Sequence, residues 1–258
     1  MAGFRRHATY RQATLAGAFT NTVFGFLRCY VLLAVAAGAA RGLAAGYDRP
    51  QLVTFVWVGQ GLLAVAWVGA WSDLADRIRT GDVAADLLRP VPPLVSYLAA
   101  DMGRAGHAAM TRFAPPVLAG LLFFDAYLPG RWQTGPLFVV SSVLAAVVSF
   151  GCRYLVNATA YWLHDVRGAM MIWILGAAVL GGLTFPLRFL PEWAYLALWF
   201  GTPFPSLLQA PLDVLVERDA APVQVAIVAG QAAWAAIVLW AGAAAQRRAE
   251  RRLVIQGG

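Results

Sequence analysis

The side chains able to make or break bonds are few in this chain, and they are not arranged to do so. Three histidines (His7, His107, His164) and two cysteines (Cys29, Cys152) are scattered, with no Cys-x-x-Cys or His-Glu-x-x-His spacing, so neither a zinc site nor a disulfide framework follows from them. His107 and His164 have no Gly-x-Ser-x-Gly nucleophile or paired carboxylate beside them, which disfavours an intramembrane protease or acyltransferase. All 20 basic residues are arginine and lysine is absent. A Gly-rich phosphate loop ends in a lysine that reaches the phosphates, and Schiff-base chemistry needs a lysine amine. The chain does neither alone. Genome composition is the plain cause of arginine replacing lysine, and the exclusions hold whatever the cause.

What remains is ionic chemistry suited to docking. Residues 73–92 form the core of the longest polar connection. The pattern predicts a short helix, a stop at Gly81, and a second helix opening at Asp82 and ending before Pro90, whose ring pushes its predecessor out of helical geometry. Leu74 and Ile78 lie four apart on one face, as do Val83 and Leu87, while Asp73, Asp76, Arg77, Asp82, Asp86 and Arg89 stand opposite. An apolar face backed by mixed charge fits another protein; a solvated loop helix is the plainer alternative.

The elements that must hold this segment are set by composition. Of 258 residues, 60% are hydrophobic and 13% charged, against nearly a quarter charged in soluble domains. With a mean hydropathy of +0.63, the chain reads as an integral membrane protein. A spanning helix needs about 20 apolar residues to cross the ~30 Å hydrocarbon layer. Six stretches qualify: 21–44 (tolerating Arg28), 50–72, 105–125 (tolerating Arg112), 132–162, 168–187 and 220–246. Residues 188–219 contain a further apolar run, but Pro203, Pro205 and Pro211 argue for a broken, partly inserted helical hairpin.

An even count puts both termini on one side. Arg5, Arg6, Arg11, Arg77, Arg79, Arg89, Arg104, Arg167, Arg247, Arg248, Arg251 and Arg252 then share the inner face, and only Arg41, Arg49, Arg131, Arg188 and Arg218 the outer one. This positive-inside bias makes both termini cytoplasmic. The arginines are dispersed among spans, so the pI near 10 does not indicate a nucleic-acid partner. The first forty residues imitate a signal peptide, but five further spans follow, and an uncleaved anchor is expected. Within it, Phe4, Arg5, Arg6, Tyr10, Arg11 and Leu15 suggest that residues 1–19 lie in the lipid interface, with the chain turning upward near Asn21. Asn21, Gln60, Asn157 and Gln231 read as interhelical hydrogen-bonding groups, Asp165 with Arg167 as a tight capped turn, and the tryptophans near span ends as an interfacial belt.

Three segments together resemble the type-2 ABC exporter permeases, in the branch of about 260 residues that works with a separate ATPase. Ile78 to Val83 followed by Asp86 to Pro90 is similar to that family's cytoplasmic coupling region. Phe185 to Trp193, then Pro203-Phe204 and Pro211, resembles its external hairpin between spans five and six, and Arg247 to Gly258 its cytoplasmic tail. The resemblance implies an all-α integral membrane fold of six transmembrane helices, with an N-terminal interfacial helix, a cytoplasmic coupling helix and an external broken hairpin. It implies partners: a dimeric ABC ATPase, and a second permease, either a copy of this chain or a related one, in the lipid of a bacterial plasma membrane. The family's coupling role would fall on Leu74, Ile78, Arg79, Gly81, Asp82, Val83, Asp86, Leu87 and Arg89, the apolar members filling a groove on the ATPase. It implies no catalytic residue, metal or cofactor in this chain, with ATP and magnesium on the partner. An ion-coupled secondary carrier is the other transport reading, but the acidic residues within spans and the internal repeats it requires are not visible.

Overall fold

The computed structural model describes residues 11–38, 44–163 and 165–256. Their regular structure is helical throughout, apart from a single bridge pairing Ala44 with Tyr47. Helix α1 (Arg11–Ala37) is continuous. The upward turn expected near Asn21 is absent, because this stretch contains no proline and isolated glycines such as Gly17 do not stop a helix. Residues 1–10 of the expected interfacial segment lie outside the described residues. Helix α2 (Arg49–Ala66) opens on a capping box. The Gln51 amide N–H donates to Asp48 at 2.8 Å, and the Asp48 N–H donates to the Gln51 side chain at 2.9 Å. It ends where Trp67 turns left-handed, at φ +42°.

The polar connection folds as expected into α3 (Asp73–Thr80) and α4 (Val83–Leu87), separated by Gly81 at φ +81°, a conformation that favours glycine. Over the stretch expected as a span at 105–125 the helices are divided differently. Helix α5 (Pro93–Thr111) begins twelve residues earlier, and the chain breaks at Arg112 and Phe113 before α6 (Ala114–Phe123). Pro115 and Pro116 open α6, where missing donors cost least, and this forces the break.

Helix α7 (Thr134–Ala158) continues through a 3-10 turn at Thr159–Tyr161. Helix α8 (Arg167–Leu180) stops short of the expected 187 at Gly181 and Gly182, the latter at φ +86°. Residues 188–219 form a broken hairpin built from α9 (Glu192–Gly201) and α10 (Gln209–Leu215), with Pro203 and Pro205 at the bend between them. Helix α11 (Ala221–Gln256) has 36 residues and is about 54 Å long, so most of the expected tail is a helical continuation. Among the described residues three stretches are long and apolar enough to cross a membrane, Phe19–Ala37, Thr134–Tyr161 and Ala221–Arg251, and α8 is a shorter apolar helix.

Helix α11 packs along α7, while α2 is enclosed by α1, α5, α6 and α7. Glycine makes the tightest approach possible. A Cβ on Gly120 of α6 would lie 2.4 Å from the Trp57 ring, and one on Gly25 of α1 would lie 2.6 Å from it, so three helices close around one indole. Long-range polar contacts gather at two ends of the bundle. At the far end, the Gln51 side chain donates to the Val216 carbonyl at 2.9 Å and Thr134 Oγ1 to Glu217 at 2.6 Å. At the end bearing α3 and α4, Ser149 donates to the Trp67 carbonyl at 3.0 Å and Tyr154 to the Gln246 side chain at 2.7 Å.

Candidate functional site

Helices α3 and α4 form an elbow whose apolar face is turned inward. Leu74 and Val83 are buried beside Phe150 and Tyr154, with Trp71, Ile78, Leu94, Tyr97 and Tyr161 packed around them. The side chains expected to fill a partner's groove therefore divide. Leu74 and Val83 already fill the chain's own core, and Ile78 and Leu87 are half-covered. The residue that points away is Leu88, 88% exposed. Periodicity identifies which residues share a face, but not what covers it.

The charges divide too. Arg77 Nε donates to Asp86 at 2.6 Å and its Nη2 to the Asp82 carbonyl at 3.1 Å, lacing α3 to α4. That bond to Asp86 holds the Arg77 guanidinium above its ordinary range. Tyr97 also donates to Asp86, at 3.3 Å, and burial together with this carboxylate pushes the phenol up to about 12. Asp82 accepts from Thr80 Oγ1 at 2.9 Å across Gly81. Arg79 and Arg89 make only loose pairs, 3.6 Å to Asp76 and 3.8 Å to Asp86, with side chains 60% and 65% exposed. A cleft of about 490 Å³ lies between the elbow and the start of α5, lined by Asp73, Asp76, Asp86, Arg77, Arg89 and Tyr97 among others. Leu88 and these two arginines make a surface that can seat an apolar contact ringed by charge.

The elbow is tied to the helices behind it. Asn157 of α7 accepts from the Ala75 N–H at 3.1 Å and donates to the Trp71 carbonyl at 2.6 Å. Asp101 sits between two arginines. Arg104 Nε donates to it at 2.7 Å and Arg153, 1% exposed, at 2.8 Å. Arg104 also caps α2 by donating to the carbonyls of Ala64 and Val65. This group explains the early start of α5, since Asp101 and Arg104 neutralise each other inside the helix instead of ending a span. At the short turn before α8, Asp165 accepts from the Arg167 amide at 2.9 Å and pairs with its guanidinium, which holds the carboxyl at about 2.

The opposite end carries a second charged group that the sequence pattern did not reveal. Asp213, in α10, is buried and accepts from Tyr47 Oη, from Gln209 Nε2 of the same helix at 2.8 Å and from Arg188 Nε at 3.2 Å. Arg188 reaches on to Asp219 at 2.9 Å, which also pairs with Arg218 at 2.8 Å. Nearby, Glu217 adopts a left-handed φ of +51° and accepts from Tyr127 Oη, Thr134 Oγ1 and the amides of Gly130 and Arg131. Burial alone would raise this carboxyl, but these four donors hold it at about 2. The available signal was an isolated carboxylate within an apolar run.

Polar groups within the spans behave as interhelical ties. Asn21 donates to the Gln60 carbonyl at 3.4 Å, and Gln231 of α11 donates to the Ser206 carbonyl at 2.9 Å and accepts from Ser141 at 2.5 Å. Cys29 and Cys152 are buried and unpaired. Two apolar cavities, about 500 and 220 Å³, lie along α5, α6 and α7 on either side of Phe113 and Phe138, whose ring centroids are 6.4 Å apart.

A family model described as ABC-2 family transporter protein matches residues 25–257. No curated protein and no solved structure matches the chain.

Proposed function

The chain belongs to the ABC-2 family of transporter proteins and is a membrane protein, and on that premise we propose that it is the permease subunit of an ATP-driven exporter, coupled through the α3–α4 elbow to a separate ATPase. The observation that carries this reading is the elbow itself. It is cross-braced by Arg77 and Asp86, anchored to α7 through Asn157, and presents Leu88, Arg79 and Arg89 outward. Motion imposed on such a piece passes into α5 and α7 because the attachments are buried hydrogen bonds and packed rings rather than flexible chain. The chain has no catalytic role in this reading, and ATP with its magnesium ion belongs to a dimeric ATPase partner. A second permease, a copy of this chain or a related one, completes the path.

Six crossings of a bacterial plasma membrane, with both termini cytoplasmic, fit this role. In support, the connections assigned to the outer face meet at one end of the bundle, through residues 45 and 218, 50 and 127, and 131 and 219, while residues 71, 75 and 101 on the inner side meet the last turns of α7 at residues 153 and 157. The short α8 completes its crossing with the broken hairpin that follows it.

The test is a double variant, Leu88→Ser with Arg89→Ala. Export and ATPase association should fall while the subunit stays in the membrane at normal abundance. Unchanged export and association would remove the elbow from the coupling role. A tag placed after Gly258 and labelled from outside intact cells would overturn the orientation.

A further inference from the structure

Most arginines with described side chains are paired with carboxylates, but Arg112 is not. It lies at the break between α5 and α6, half-buried, and its guanidinium has no hydrogen-bond or ion-pair partner among the described residues. It faces a cavity of about 200 Å³ whose other walls are Gly17 and Asn21 of α1, Leu63 and Ala64 in the last turns of α2, and Trp67, Val68 and Gly69 just beyond. Among the described residues no carboxylate lines this cavity. The space is real on the α1 side, because a Cβ built on Gly17 meets nothing within 4 Å.

We infer that this cavity binds the anionic headgroup of a membrane phospholipid, with the phosphate on Arg112. A cation between spanning helices must be neutralised or hydrated, and a cavity with one cation and no anion is complementary to a negative ligand. Asn21 supplies a neutral polar contact, while Leu63, Ala64, Val68 and the Trp67 ring, whose N–H is already donated to the Ala70 carbonyl at 3.2 Å, offer an apolar floor to the glycerol and first methylenes of a lipid, which a free phosphate does not use. The cavity opens at the elbow end of α2, so its assignment to the cytoplasmic leaflet rests on the orientation proposed above. There, basic pockets between helices meet anionic lipids. Binding itself does not depend on that orientation.

The experiment uses the purified full chain in detergent, without the ATPase, and measures retained lipid by native mass spectrometry with phosphatidylglycerol and phosphatidylcholine of identical acyl chains. The parent should retain phosphatidylglycerol in preference. Arg112→Gln should weaken retention about tenfold, the loss of one charge-assisted contact. Gly17→Leu, which fills the cavity and leaves the charge, should weaken it similarly, with thermal unfolding confirming that both variants fold. Arg248→Gln on the exposed part of α11 should leave it unchanged. Equal retention of both lipids, no effect of Arg112→Gln, or a shift in oligomeric state instead of lipid content would each overturn the inference. So would displacement by millimolar inorganic phosphate, which would reduce the site to a free-anion site. None of these results bears on export, so the transport reading can fail or stand separately.

Discussion

At the far end of the bundle, Asp213 and Glu217 accept from hydroxyls, amides and a guanidinium drawn from α10, the Tyr47 turn, the turn at Arg188 and the loop leading into α7, and both are covered. At the elbow, Asp86 is similarly held by Arg77 and Tyr97, but Arg79, Leu88 and Arg89 are left in the open. Both ends contain arginine–carboxylate chemistry, and burial makes their roles differ. A buried network whose members satisfy one another fixes geometry and has nothing to offer a partner. A partly exposed one of the same composition contributes little to stability and keeps free donors for another surface.

Substitutions that ignore this difference should have very unequal effects. The largest is expected for Asp213→Ala, which leaves Arg188, Tyr47 and Gln209 facing an empty position. Breaking a buried pair in this way costs about 3–5 kcal/mol, to be read as a large drop in the thermal unfolding midpoint of the purified protein. A midpoint within a degree or so of the parent would show that the far-end network is not structural.

Glu217→Gln comes next and carries a pH signature. The folded carboxyl titrates at about 2, below its ordinary value of 4.5, so its contribution is complete above that ordinary value and is lost as pH falls toward 2. The stability gap between parent and variant should hold from pH 8 to 5, narrow progressively below about 4.5 and close near pH 2. A gap independent of pH would mean that the charge is not what matters there.

At the elbow, Arg77→Ala removes a brace that is partly in solvent, and less than about 1 kcal/mol is expected globally. The loss should instead appear as faster amide exchange confined to residues 73–89; protection unchanged there would make the lacing incidental. Leu88→Ser alone should be nearly silent in unfolding, within about 0.5 kcal/mol, and felt only when the ATPase is present. A destabilised monomer would mean that Leu88 belongs to the core after all.

Local rules carried much of the elbow. Gly81 and Pro90 stop helices for reasons contained in those residues, and the prolines at 203 and 205 do the same in the hairpin. What sequence reading missed depends on partners distant in the chain. Asp101 and Arg104 precede the expected span at 105, and they lie inside a helix because Arg153, some fifty residues later, shares the carboxylate. The burial of Leu74 and Val83 likewise depends on Phe150 and Tyr154 of α7. The Pro115–Pro116 break is a local signal by contrast, carried by two adjacent rings inside an apolar run.

That break has a mechanical consequence. Helix α5 is a rod of 19 residues, about 28 Å long, starting beside the elbow and ending at Arg112, where regular helical bonding is interrupted. Pivoting on that point by about 10° would sweep its opposite tip through about 5 Å, close to one helical turn. Under the proposed coupling role, a push on the elbow would move the Met102 to Ala109 wall of the larger cavity, with the proline pair as the fulcrum.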